Sequence, residues 1–209
     1  MPTSLLTGLQ REVLEAFFRR ENRFFLSGGA ALAGFHVGHR QTHDLDLFTT
    51  MDILEGGEGA LRQAALDLGA TVESIQTAPD FRRRIVRRDP EAVVVDLVRD
   101  RAPQGPLPKQ RFGDIVVDPP QEILANKLCA LLSRSELRDL VDVQALERAG
   151  FAIEEALELA GKKDAGFTAG QLGYVLSQID LGDSSEHRAL ADYAKALSKR
   201  LAVLAAPPI

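Results

Sequence analysis

Two different spacings of apolar residues mark the first quarter of the chain. Over residues 4–20, apolar side chains recur at intervals of three and four with charged side chains between them, which predicts an amphipathic helix. Residues 43–48, with the sequence HDLDLF, alternate polar and apolar side chains, which predicts a strand. Asp44 and Asp46 then lie on one face of this strand, so two carboxylates are expected to point the same way.

The remaining pattern predicts further strands and then a wholly helical second half. A short strand over 24–26 is expected to lead through a glycine turn into a helix over 30–35. The other elements predicted before residue 118 are a helix over 52–68 and strands over 70–76, 81–88 and 92–98. Helices are predicted over 121–133, 135–148, 152–161, 168–178 and 184–205. The fold class is therefore α+β, with a mixed domain over 1–118 and a helical domain over 119–209.

Composition and charge narrow the function classes. Of 209 residues, 45% are apolar, which is enough to form a substantial core. The net charge of -5 provides no general attraction to nucleic acid, so any such contact must be local. The single cysteine, Cys129, excludes an internal disulfide. Because no basic leader is found, and no apolar run reaches the ~20 residues of a spanning helix, we expect a cytoplasmic protein without membrane contact.

Three aspartates interrupt otherwise apolar strands. Asp44 and Asp46 share one strand, and Asp96 lies in the later run of valines. A carboxylate in such a place is costly unless its charge is compensated, and convergent carboxylates suit Mg²⁺. Upstream, Gly28 and Gly29 form a turn at the start of a helix, where backbone N–H groups favour an anion. The pattern predicts a phosphate site beside a metal site.

These residues resemble a known family. The glycine turn reads Gly28-Gly29-Ala30-Ala31-Leu32, and the strand reads Arg40-Gln41-Thr42-His43-Asp44-Leu45-Asp46-Leu47-Phe48. Together they resemble the signature of polymerase-beta-like nucleotidyltransferases, and within these the AbiEii/AbiGii abortive-infection toxins. The family's later lysine and its Arg-x-x-Asp-Leu-x-Asp helix resemble Lys127 and Arg138-Asp139-Leu140-Val141-Asp142. The resemblance implies a nucleotidyltransferase fold in which helices flank a mixed sheet, followed by a C-terminal helical half.

The resemblance also implies roles for individual residues. Asp44, Asp46 and Asp96 would hold Mg²⁺ or Mn²⁺ and act in catalysis, and Asp96 would receive the proton of the acceptor hydroxyl or share a second metal ion. Lys127 would act in catalysis by neutralising the triphosphate. The nucleotide-binding residues would be Gly28, Gly29, Arg40, Lys127 and Asp142. Whether Asp139 and Asp142 are functional or form a structural ion-pair set stays open at this point.

The function implied is transfer of a nucleoside monophosphate from a nucleoside triphosphate to an acceptor. By resemblance the protein would be the toxin of an abortive-infection or toxin-antitoxin pair that has a cognate antitoxin and acts on RNA, with protein as the other possible acceptor. RNA could contact Arg82, Arg83, Arg84, Arg87 and Arg88, although such a run can equally protect a sheet edge. The alternatives are a non-catalytic nucleotide- or partner-binding module of the same fold and a small-molecule (antibiotic) nucleotidyltransferase.

Overall fold

A mixed sheet of seven strands organises the first half of the chain in the computed structural model, which describes residues 4–179 and 185–206. The strands are β1 Phe25–Ser27, β2 Asp44–Thr49, β3 Thr71–Ala78, β4 Phe81–Arg88, β5 Glu91–Arg99, β6 Gln110–Phe112 and β7 Ile115–Val117. Their order across the sheet is β3-β4-β5-β2-β1-β7-β6. β2 pairs in parallel with β5, and β1 with β7, whereas the other neighbours are antiparallel. The mixed sheet confirms the predicted α+β class.

Three helical elements accompany this sheet. They are α1 Gly8–Phe18, α2 Gly28–Ala31, which continues as a π-helical turn over Leu32–His36, and α3 Leu54–Asp67. α1 begins at a capping box, in which the backbone N–H of Gln10 donates to Thr7 Oγ1 and that of Thr7 donates to Gln10 Oε1. Its apolar side is buried, as the periodicity predicts. The helix start is therefore fixed by local sequence.

The hairpin of β6 and β7 was not predicted from the sequence. Gly113 in its turn has a φ of 63°, and Phe112 pairs with Ile115 across the turn. The three residues of β7 are buried, and Leu26 of β1 pairs with Val117. The β-branched run of β7 shortly after Gly113 favours a strand, but three residues are too few to establish a period. Within the described residues, all other predicted strands and helices are found, with ends shifted by a few residues. Residue 184, where the last helix was predicted to begin, lies outside the described residues.

The second half of the chain is helical. Its helices are α4 Pro120–Arg134, α5 Leu137–Arg148, α6 Ile153–Lys163, α7 Ala169–Ser177 and α8 Ser185–Leu204. Contacts divide the chain into one unit of Met1–Arg101 with Leu107–Pro119 and a second unit of Ala102–Pro106 with Pro120–Ile209. The backbone N–H of Gly105 donates to Glu122 Oε2 at 2.8 Å, which ties 102–106 to the second unit. Among the described helices, none has the length and apolar character needed to cross a membrane.

Substitution of two glycines of α3 by alanine should change the free energy of unfolding in opposite directions. A β-carbon at Gly57 would lie 2.5 Å from Cζ of Phe24, whose ring is buried and packs edge-on against Phe17, whereas one at Gly59 would meet open space. We expect Gly57→Ala to lower the free energy of unfolding by about 1–3 kcal/mol through overpacking. Gly59→Ala should raise it by roughly 0.5–1 kcal/mol, because alanine has the higher helix propensity. Urea unfolding followed by circular dichroism measures both, and equal effects would contradict the packing.

Candidate active site

The parallel pairing of β2 with β5 gathers three carboxylates. Asp46 stands opposite Asp96 in the register, and Asp44 lies two residues before Asp46 on the same strand. Side chains of paired residues on neighbouring strands point to the same face, so all three belong to one face of the sheet. Leu45 and Leu47 are fully buried while the two aspartates between and beside them are half-buried. The predicted alternation along β2 is confirmed.

Asp96 is engaged by an arginine of the next strand. β4 sets Arg83 opposite Asp96, and the guanidinium donates from Nε to Oδ1 at 2.9 Å and from Nη2 to Oδ2 at 2.7 Å. This hydrogen bond raises the pKa of Arg83, and the charges of Asp44 and Asp46 act in the same direction. Arg83 therefore stands as a permanent cation beside all three carboxylates. The sequence identified Asp96 and Arg83 as candidate functional residues but did not predict the ion pair between them.

The metal-binding role predicted for Asp44, Asp46 and Asp96 stays a prediction. Within residues 4–179 and 185–206, no three His, Cys, Asp or Glu side chains are arranged to hold a metal ion. Asp96 is bound on both oxygens by Arg83 instead. Asp44 and Asp46 still offer the oxygen donors that suit Mg²⁺, which commonly uses one or two protein carboxylates and completes its shell with water and phosphate. The pair fits such an ion without a third protein ligand.

Gly28, the first residue of α2, brings the start of this helix against the Asp46 carboxylate. Its φ of 63° lies in the left-handed region, and a β-carbon there would overlap Asp46 Oδ2. Only glycine therefore allows the turn and the carboxylate to approach this closely. The predicted glycine turn thus lies directly beside one of the predicted metal ligands.

Gly29 makes room for two further polar side chains of the site. A β-carbon at Gly29 would lie 3.1 Å from both Arg40 Nη2 and Thr42 Oγ1. Thr42 Oγ1 in turn donates to Asp44 Oδ1 at 2.7 Å. Arg40 is thus placed beside the glycine turn, as its predicted nucleotide-binding role requires, and Thr42 orients Asp44.

Sequence reasoning assigned no role to Thr42 or to Gln10. The side chain of Gln10 donates from Nε2 to the Thr42 carbonyl at 2.9 Å while its Oε1 caps α1. Both residues are buried. The start of α1 is therefore linked through Thr42 to Asp44. Thr42 lies inside the motif that carries the family resemblance, whereas Gln10 had only a helix-capping signal.

The five arginines of β4, for which RNA contact and protection of a sheet edge were equal alternatives, do not share one face of the sheet. Because side chains alternate along a strand, Arg82, Arg84 and Arg88 lie on the face opposite Arg83 and Arg87. Every member has an acidic or carbonyl partner within hydrogen-bonding or ion-pair distance.

Arg84 in particular is only 2% exposed and cannot reach a polyanion. It donates from Nη2 to Glu58 Oε2 at 2.7 Å, and this contact lowers the pKa of Glu58. Arg88 binds Glu12 on α1 at 2.6 Å. Arg84 and Arg88 therefore fasten β4 to α3 and α1, and these two arginines have a structural role.

In the second unit, Lys127 lies in a buried cluster of charges. Its Nζ is 2.8 Å from Asp139 Oδ1 and 2.8 Å from Asp142 Oδ2, and both carboxylates are fully buried. Arg134 also donates to both oxygens of Asp139, at 2.8 and 3.1 Å. Two cations thus offset two anions, and the cluster joins α4 to α5.

Burial is the largest influence on Asp139 and would raise its pKa, but the Arg134 hydrogen bond and the Lys127 charge outweigh it and the pKa is lowered. A lowered folded-state pKa means that the stabilisation is complete above the ordinary aspartate pKa and is lost as pH falls through the folded value. The second unit is therefore expected to be sensitive to acid through this residue.

The close approach at Gly28 predicts a large effect of a small substitution. Gly28→Ala and Gly69→Ala both place alanine at a φ near 65°, but only at Gly28 would the new methyl group meet another side chain. We expect Gly28→Ala to lower the free energy of unfolding by at least about 1 kcal/mol more than Gly69→Ala, because of the overlap with Asp46. Paired urea titrations measure the difference. Equal losses would show that the carboxylate is not held there.

The ion pairs of Asp139 predict a pH-dependent stability. Asp139→Asn should lower the free energy of unfolding at neutral pH by about 3 kcal/mol or more, since it leaves the buried ammonium group of Lys127 undercompensated. The difference from the unsubstituted chain should shrink as pH falls below the ordinary aspartate value of 3.8. Thermal unfolding between neutral and acidic pH measures this. Glu158→Gln, at an exposed pair with Lys162, is the control and should change little. A difference that does not depend on pH would contradict the assignment.

Comparisons with known proteins agree with this architecture. The sequence matches the family of the nucleotidyl transferase AbiEii toxin of type IV toxin-antitoxin systems over residues 12–205. Among curated proteins, no significant match is found.

Two solved structures share the fold. JHP933 from Helicobacter pylori is 20% identical with a TM-score of 0.57, covering 94% of this chain and 90% of its own. MenT4, a nucleotidyltransferase toxin from Mycobacterium tuberculosis H37Rv, is 16% identical with a TM-score of 0.56, covering 96% of this chain and 82% of its own. Because the family match spans most of the chain and the fold agrees, the chain belongs to the AbiEii nucleotidyltransferase toxin family.

Proposed function

We propose that the chain transfers a nucleoside monophosphate from a nucleoside triphosphate to RNA in a Mg²⁺-dependent reaction, with Asp44 and Asp46 as the protein ligands. Mn²⁺ suits the same oxygen donors. A bound cation would offset phosphate charge and stabilise the attacking and leaving oxygens. The observation that carries the proposal is the pair of carboxylates on one face of β2, with Asp46 against the Gly28 turn.

The chain's own residues would bind and orient the triphosphate. The turn at Gly28 and Gly29 offers backbone N–H groups to an anion, and Arg40 beside Gly29 adds a permanent positive charge. Thr42 holds Asp44 in place by its hydrogen bond. This arrangement positions the reactant, and positioning is the main protein contribution to phosphoryl-group transfer.

For Asp96 we propose a positioning role. Both of its oxygens accept hydrogen bonds from Arg83, which leaves Nη1 of that guanidinium as the nitrogen without a bond to Asp96. A guanidinium fixed in this way suits the charge that develops on a transferred phosphoryl group. Proton transfer to Asp96 from the acceptor hydroxyl would use a carboxylate lone pair that is not engaged by Arg83.

The buried ion pairs of Lys127 support a structural role for it and for Asp142 in joining α4 to α5. Their predicted contact with the nucleotide stays a prediction. The family description supports a cognate antitoxin and a nucleotide substrate. RNA as acceptor is supported by Arg83 and Arg87, which lie on the carboxylate face of β4 with side chains 42% and 53% exposed.

A direct test is the mass of candidate acceptors after incubation with each nucleoside triphosphate and Mg²⁺. We expect cellular RNA to gain the mass of one nucleotide. Asp46→Asn should slow this transfer by more than tenfold, a loss of at least about 1.4 kcal/mol of transition-state stabilisation. Asp52→Asn makes the same chemical change at an exposed side chain and should leave the rate unchanged.

The same experiment separates the alternatives. More than a tenth of the original rate in Asp46→Asn would refute the ligand assignment. A mass gain on an antibiotic but not on RNA would indicate a small-molecule nucleotidyltransferase. Nucleotide binding without transfer to any acceptor would indicate a non-catalytic module.

A further inference from the structure

A cavity of about 650 Å³ opens on the first unit between α1, the π-helical turn and the β6–β7 hairpin. This volume lies in the range of small-ligand sites. None of the side chains that line it belongs to β2, β4 or β5, so it shares no lining residue with the carboxylate site. It therefore provides a separate concave surface.

Three arginines line this cavity, and they differ from the arginines of β4. Arg11 lies on α1, Arg19 directly follows the last residue of α1, and Arg111 lies on the edge strand β6. All three are exposed, and among the described residues no side-chain hydrogen bond or ion pair satisfies their guanidinium groups. Glu15 stands one helical turn from both Arg11 and Arg19, yet it pairs with neither. The positive charge at this cavity is thus available to an anion.

The apolar part of the lining is aromatic. Phe35 and Phe112 both border the cavity, with ring centroids 5.0 Å apart and planes inclined at 46°. Both rings are only partly buried. Aromatic rings of this kind provide a surface on which a flat base can stack without sequence preference. The cavity thus combines phosphate-binding and base-stacking groups.

Hydrogen-bonding groups complete the lining. Glu15 and Asp114 are exposed acceptors, and the Ser4 hydroxyl is buried without a partner among the residues that the structure describes. The two carboxylates would repel a ligand that is only anionic, such as an acidic peptide. They suit a ligand whose anionic group is joined to hydroxyl and amino donors.

We propose that this cavity binds a nucleoside phosphate, with the phosphate at the arginines and the base against Phe35 and Phe112. The nucleoside phosphate is either a free mononucleotide or one unit of single-stranded RNA. The site is independent of the transfer reaction proposed above, because it uses neither Asp44 nor Asp46.

The test uses the full chain carrying Asp44→Asn and Asp46→Asn, with EDTA present, so that binding at the proposed metal site does not contribute. Adenosine 5′-monophosphate, adenosine, inorganic phosphate and a fluorescent oligoadenylate are titrated. In this background, Arg11→Ser with Arg111→Ser should weaken binding of the monophosphate by about tenfold or more. Arg62→Ser with Arg101→Ser removes the same charge from two exposed arginines elsewhere on this unit and should have little effect.

The base contact is tested with Phe112→Leu, which keeps an apolar side chain but removes the aromatic face. This substitution should weaken binding of the monophosphate at least about fivefold and leave binding of inorganic phosphate unchanged, as expected for a lost stacking contact. Adenosine or phosphate binding as tightly as the monophosphate would overturn the proposal.

The oligoadenylate identifies the source of the ligand. If it binds more tightly than the monophosphate, with an affinity that falls with salt at a slope near -0.7 per phosphate, the ligand is single-stranded RNA. Equal affinities identify a free nucleotide. Both outcomes support the cavity as a nucleoside phosphate site, provided that the arginine variant binds the oligoadenylate and the monophosphate more weakly. A polyglutamate peptide that binds as tightly, or an arginine variant that binds like its control, would overturn it.

Discussion

The repulsion between carboxylates on one face of the sheet is the constraint on which the candidate site depends. Asp46 and Asp96 are paired residues on parallel strands, and Asp44 shares their face. Neighbouring strands lie about 5 Å apart, and at an effective dielectric of 20 two such charges repel by roughly 3 kcal/mol. A fold with this register needs positive charge or hydrogen-bond donors close by.

The neighbouring elements supply both. Arg83 binds Asp96 through two hydrogen bonds, and Thr42 donates to Asp44. Gly28 lets the start of α2 approach Asp46. A divalent cation would complete this compensation at the Asp44 and Asp46 pair, which links the electrostatic needs of the fold to the proposed chemistry.

The distribution of arginine in the first unit follows from the same electrostatics. On β4, arginines bind carboxylates and fasten the strand to its neighbours, as Arg84 does with Glu58. At the cavity beside α1, the arginines have no such partner among the described residues, although Glu15 has the spacing for one. The second unit buries charged side chains in ion pairs, both around Lys127 and between Lys163 and Glu122. Arginines thus stabilise the fold on β4 and are available for ligand binding at the cavity beside α1.

The sequence by itself determined the features that depend on local order. Helical periodicity predicted the helices, alternation placed Asp44 and Asp46 on one face, and the glycine motif with its spacing to the aspartates identified the family. Tertiary structure alone decided that Asp96 binds Arg83, that Arg84 is buried and that β6 and β7 extend the sheet. These features depend on strand order and register, which are set by packing between residues distant in sequence, whereas periodicity reports only which side of its own element a residue occupies.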